Sequence, residues 1–124
     1  MGFKIKILVV DDNTVLLEML NEALVEKGFD VLCCNDGDAA QKNFSEFKPD
    51  IVLTDIVMPG VDGIELLLGL RKINPNIKVI AMSGGNRGHA DTYLHMAEKI
   101  GANVILVKPF EISDLLEQIK ILTA

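Results

Sequence analysis

Two apolar patterns alternate along the chain. Short runs rich in Ile, Val and Leu fall at 5–10 (IKILVV), 29–34, 51–54, 77–82 and 104–107. Such runs, bounded by turn residues, suit strands that are buried on both faces. Between them apolar residues recur at helical spacing. Leu16, Leu20 and Leu24 form one stripe, with Glu18, Glu22 and Glu26 on the other side. Asp11-Asp12-Asn13-Thr14 can cap that helix, and Gly28 stops it. A shorter helix is predicted over 38–46, with Ala40 and Phe44 facing inward. Another is predicted over 64–73, with Leu67, Leu68 and Arg71, and ends at Asn74-Pro75-Asn76. Residues 58–63 and 83–88 read as loops. A helix over 90–100 ends at Gly101, and Ile112, Leu115, Leu116 and Ile119 mark a last amphipathic helix.

The alternation βαβαβαβαβα argues for an α/β fold, with a parallel sheet and helices on both faces. Crossovers in such sheets are right-handed. Five strands suit a flavodoxin-like, doubly wound three-layer sandwich with strand order 2-1-3-4-5. In that order the first and third strands are neighbours, and ligands bind at the carboxyl ends of the strands where the connections diverge. No linker or repeat interrupts the pattern, so 1–124 is expected to be one domain.

Composition narrows the classes. The chain has 124 residues, is 49% hydrophobic and 24% charged, and can bury a sizeable core. Its net charge of -6 disfavours direct contact with nucleic acid or an anionic membrane. No apolar run is long enough to cross a bilayer, and the amino terminus lacks the pattern of a signal peptide. Cys33 and Cys34 are adjacent and do not form a CxxC pair, which fits two thiols in a reduced, cytoplasmic protein.

The chemistry gathers at the strand exits. Asp11 and Asp12 follow the first run, Asp55 the third, Ser83 the fourth and Lys108 the fifth. Singly each has a plain explanation. An Asp after a strand is usually a cap or turn residue, a lone Ser is loop polarity, and a lone Lys is a solvated charge. Jointly they suggest a site. Carboxylates crowded into one crevice repel, and a hard divalent cation such as Mg²⁺ relieves the repulsion. Lys108 adds a compact positive charge and Ser83 a hydroxyl donor. The set suits a phosphoryl group on Asp55, since carboxylate nucleophiles form aspartyl-phosphates and transfer needs mainly positioning and charge neutralisation. His89 and His95 are wrongly spaced for a shared metal face on one helix. The glycine-rich stretch 84–88 lacks the ending of a P-loop.

ILVVDDN at 7–13, IVLTDIVMPGVDG at 51–63, Met82-Ser83-Gly84 and Lys108-Pro109-Phe110 together resemble the receiver domain of two-component response regulators, of the CheY-like kind. The resemblance covers the whole chain. It implies a stand-alone receiver without an output domain, in which Asp55 accepts a phosphoryl group from a phosphohistidine donor, either a sensor histidine kinase or a histidine phosphotransfer protein. It implies that Asp12, Asp55 and the backbone carbonyl of Val57 bind Mg²⁺ (or Mn²⁺ as a substitute), with Asp11 acting through water. Ser83 is then the switch hydroxyl, Lys108 contacts the phosphoryl group, and the Lys108–Pro109 bond is cis. The expected product is a switch that catalyses only its own phosphorylation and slow dephosphorylation. Its expected output is a downstream protein bound on the helix over 90–100, the fifth strand and the last helix.

Two departures stand out. Ile105 occupies the position where the family often has Tyr or Phe, and Ile has no large ring to swing between buried and exposed positions. The segment from Ser83 to Lys108 is longer than in CheY-like members and carries Gly84, Gly85 and Gly88. Two other functions compete: a receiver-like scaffold that is never phosphorylated, and a phosphatase with an aspartyl nucleophile. Phosphatases of the haloacid-dehalogenase kind want Asp-x-Asp after the first strand, whereas Asp11 and Asp12 are contiguous.

Overall fold

The computed structural model describes residues 4–56, 63–83, 95 and 101–124. The first apolar run becomes β1 (Lys6–Val10), followed by α1 (Thr14–Glu26), β2 (Asp30–Cys34), α2 (Gly37–Phe47) and β3 (Ile51–Asp55). Then come α3 (Gly63–Ile73), β4 (Lys78–Ser83), β5 (Val104–Val107) and α4 (Ile112–Leu122). The strands form one parallel sheet in the order β2-β1-β3-β4-β5. The helix expected over 90–100 lies outside the described residues except for His95, which is helical and exposed.

Strand alternation sends side chains to two separate cores. Leu8, Val10, Val52 and Val79 meet Phe44 of α2 and Leu66 of α3 on one face. Ile7, Val9, Leu53 and Met82 meet Leu20 of α1 and Leu115 of α4 on the other. The result is the three-layer sandwich expected from the sequence. Ile7, Leu8, Val9 and Val10 are all fully buried, which explains an unbroken apolar run in place of alternation. Each such side chain contributes about 1.5–3 kcal/mol by leaving water. Leu20 and Leu24 are buried as expected, with Leu17 beside them in the core of α1 and Leu16 packed against its edge, while in α3 Leu68 is half exposed and Leu66 and Leu70 are buried.

Local chemistry sets the helix ends. Asn13 Oδ1 accepts from the Leu16 N–H at 3.1 Å, and Asp36 Oδ1 from the Ala39 N–H at 2.8 Å, so each caps a helix. Gly28, at φ +94°, ends α1 in the left-handed region that favours glycine. At the far end of the sheet, the Arg71 guanidinium donates to the carbonyls of Pro75, Ile77 and Gly101 and reaches Asn103 Oδ1 at 3.4 Å. Asn103 Oδ1 also accepts from the Val79 N–H at 2.8 Å. Arg71 thereby ties the end of α3 to the starts of β4 and β5. Burial lowers its pKa from the ordinary arginine value.

Candidate functional site

The parallel register places all five strands' carboxyl ends along one rim. Val10 pairs with Thr54, Asp55 with Met82, and Ser83 with Val107. Residues at or just beyond the ends of β1, β3 and β5 are therefore brought to the rim beside the switch point between β1 and β3.

Asp11 is fully buried, Asp55 is 6% exposed and Asp12 lies in solvent. Each offers a carboxylate oxygen, and these oxygens lie within 4.8 Å of one another. Lys108 Nζ donates to Asp11 Oδ2 at 2.6 Å and stands 3.6 Å from Asp55 Oδ2. One cation is thus shared unequally between two buried carboxylates. Ser83 is 1% exposed, and its carbonyl accepts from the Lys108 N–H at 2.6 Å, which locks the β4 exit to the β5 exit. The Lys108–Pro109 bond is cis, as expected. Val57, the expected carbonyl ligand, lies outside the described residues, as does the stretch 84–88.

Backbone donors hold the carboxylates, and these were not singled out from sequence. The Asn13 N–H donates to Asp11 Oδ1 at 2.9 Å, turning Asp11 inward. The Ile56 N–H donates to Asp55 Oδ1 at 2.8 Å. The Thr54 hydroxyl donates to the Asp55 carbonyl at 2.9 Å. The signal available was only position: each donor follows or precedes a strand-end Asp.

The donor set is all oxygen, which suits a hard cation. Ligand oxygens around an octahedral Mg²⁺ stand about 3.0 Å apart when adjacent and about 4.2 Å when opposite, given metal–oxygen distances near 2.1 Å. Oxygens within 4.8 Å of one another need only a small contraction to meet that geometry. The residues present fit the ion.

Beside the site lies a crevice of about 420 Å³ lined by Asn13, Leu16, Met19, Lys108, Pro109 and Phe110. Cys33 and Cys34 take no part in the site. Burial raises both thiol pKa values, with the neighbouring Cys33 and Asp36 adding to the shift at Cys34. Among the described residues, no helix is long and apolar enough to cross a membrane.

A family model described as "Response regulator receiver domain" matches residues 7–120. Sporulation initiation phosphotransferase F of Bacillus subtilis is 34% identical over 115 residues, covering 93% of this chain and 90% of that protein. Chemotaxis protein CheY of Thermotoga maritima is 34% identical over 113 residues, covering 90% of this chain and 92% of that protein. The crystal structure of a CheY-like response regulator receiver domain protein from Methanospirillum hungatei superposes with a TM-score of 0.85 at 28% identity, covering 95% of this chain and 92% of that one.

Proposed function

The chain belongs to the response regulator receiver domain family, and on that premise we propose that Asp55 accepts a phosphoryl group from a phosphohistidine donor and thereby switches protein–protein contacts. The observation that carries this is the shared cation. Lys108 Nζ lies 2.6 Å from Asp11 and 3.6 Å from Asp55, at the rim where the carboxyl ends of β1, β3 and β5 meet.

In the transfer, a carboxylate oxygen of Asp55 attacks phosphorus. The bond from phosphorus to the donor's imidazole nitrogen breaks, its electron pair returns to that nitrogen, and an acyl phosphate forms. The Ile56 N–H holds Asp55 Oδ1 during the attack, so the carboxylate need not search rotamers. Lys108 moves its ammonium from Asp11 towards the incoming phosphoryl oxygens. Asp11, Asp12, Asp55 and the Val57 carbonyl would hold Mg²⁺ (Mn²⁺ as a substitute), with Asp11 acting through water. The ion supplies neutralisation of the phosphoryl charge. Ser83 donates its hydroxyl to a phosphoryl oxygen and carries the change into the neighbouring strand end.

The donor is a sensor histidine kinase or histidine phosphotransfer protein. The crevice of Leu16, Met19, Pro109 and Phe110 supports its approach, because it is apolar and continuous with Lys108. The downstream protein binds the face made by the helix expected over 90–100, β5 and α4, where Val107 and Ile121 are more than half exposed. The acidic balance supports protein partners in the cytoplasm over nucleic acid or membrane. The chain acts as a phosphoacceptor that catalyses its own charging and slow hydrolysis.

Incubation with acetyl phosphate and Mg²⁺, read by intact mass, tests the proposal. One phosphoryl group is expected on the wild type and none on Asp55→Ala. No gain on the wild type, or an undiminished gain on the variant, refutes it.

A further inference from the structure

Beneath the rim, on the sheet face that carries α3, lies a small apolar cluster separate from the two main cores. Ile56, Ile64 and Ala81 form it, all under a tenth exposed, and Ile105 and Ala102 pack against it. Ile56 follows the acceptor directly. Its N–H is shared between two oxygens, Met82 O at 3.1 Å and Asp55 Oδ1 at 2.8 Å. The first bond extends the β3–β4 ladder past its last pair. The second fixes one oxygen of the acceptor carboxylate. Wherever the Ile56 side chain is held, the orientation of Asp55 is held with it.

The sheet register says what does the holding. Ala81 pairs with Thr54 on one side and with Ile105 on the other. Ala81 contributes only a methyl group there, and the rest of the wall comes from Ile64 of α3 and Ile105 of β5. Ile105 is branched at Cβ and stiff about χ1, which makes it a wall with few alternative positions. It also shares its sheet face with Ser83 and lies two residues below Val107, the strand partner of Ser83.

We infer that Ile105 is a positioning residue for phosphoryl transfer: through the cluster of Ile56, Ile64 and Ala81 it holds the Ile56 N–H on Asp55 Oδ1. The role is static. It acts before the donor arrives, and it needs no swinging ring. The inference rests on Asp55 being the acceptor. It leaves Asp11, Asp12 and Lys108, which lie outside the cluster, unaffected.

The test compares Ile105→Ala, Ile105→Leu and Ile105→Val with the wild type. Acyl phosphate formation from acetyl phosphate at saturating Mg²⁺ is expected to be about tenfold slower in Ile105→Ala, since small misplacements at a reacting group have large effects on rate. Magnesium affinity, measured by calorimetric titration, falls by less than the rate, because Asp11, Asp12 and the Lys108–Asp11 pair stay in place and only Asp55 among the proposed ligands is loosened. The Ile56 amide resonance shifts and its hydrogen exchange quickens. Ile105→Val, which keeps the branch, restores both rate and resonance, whereas Ile105→Leu restores neither fully. A wild-type rate in folded Ile105→Ala overturns the inference. So does a slow rate with an unmoved Ile56 amide, or with magnesium affinity falling in parallel. Should Ile105→Ala unfold, Ile105→Leu carries the same comparison at constant volume. If the wild type takes no phosphoryl group, the acceptor reading fails, while the Ile56 amide still reports whether Ile105 holds it.

Discussion

Replacing Asp55 with Asn is expected to stabilise the fold in the absence of divalent cations. With an effective dielectric of about 20, attraction between charges 3.6 Å apart, as for Asp55 and Lys108, is about 4.6 kcal/mol. Repulsion from Asp11, whose oxygen lies within 4.8 Å, is at least about 3.5 kcal/mol on the same scale. These terms nearly cancel. To these are added the repulsion of Asp12, weakened by solvent, and the cost of holding a carboxylate at 6% exposure. That desolvation cost reaches several kcal/mol per ion. Asn keeps an Oδ1 acceptor for the Ile56 N–H and carries no charge. A net gain of about 2 kcal/mol follows, or about 8 °C in Tm for a chain of this length. Thermal unfolding in EDTA, followed by circular dichroism, measures it. Added Mg²⁺ should then raise the wild type by mass action and the variant little, so the two curves converge. A variant that melts at or below the wild type in EDTA would refute the electrostatic reasoning. Equal stabilisation of both proteins by Mg²⁺ would remove Asp55 from the proposed ligand set.

Lys108→Met leaves fully buried Asp11 without its cation; we expect a loss of about 3 kcal/mol in denaturant titration, partly restored by Mg²⁺, together with much slower phosphorylation. Met19→Asp alters the crevice beside the site and should slow transfer from a phosphohistidine protein about tenfold while leaving acetyl phosphate reactivity unchanged. Arg71→Lys cannot span the carbonyls of Pro75, Ile77 and Gly101; a loss of about 2 kcal/mol is expected, with faster hydrogen exchange at Val79 and Asn103. Cys33 and Cys34 have pKa values raised by burial above their ordinary value of 9.0. Their contribution to stability is therefore complete below pH 9.0 and lost as pH rises through the folded values. The drop in urea midpoint above that pH should be smaller in a Cys33→Ala, Cys34→Ala double variant.

The strands were legible to within a residue because burial on both faces leaves an unbroken apolar run, and β5 matches its expected bounds. Helix phase was harder to read. In Glu65-Leu66-Leu67-Leu68-Gly69-Leu70 every register offers leucines to the core, and only packing against the sheet turns Leu68 outward. Leu16 and Leu17 pose the same ambiguity. At the rim, the acidic residues and Lys108 were visible as strand endings, but their inequality was not. Asp11 turns inward because the Asn13 N–H and Lys108 hold its two oxygens, while Asp12 faces water. Arg71 read as one more residue on a helix, since its carbonyl partners are assembled only by the tertiary fold. The cis bond at Pro109 came from family resemblance and not from any local pattern.

The ion pair between Lys108 and Asp11 joins residues 97 apart in the chain. The chain from β1 to just beyond β5 must be synthesised and wound before Asp55 has Lys108 as its counter-charge. Contacts of such long separation are closed only after large losses of chain entropy, and they form with the completed sheet. A chain still on the ribosome, lacking β5, presents Asp55 without Lys108. On the proposed function, such a chain is expected to be a poor acceptor. On the acceptor role proposed above, Asp55 is thus expected to become chargeable only once β1 to β5 have closed into one sheet.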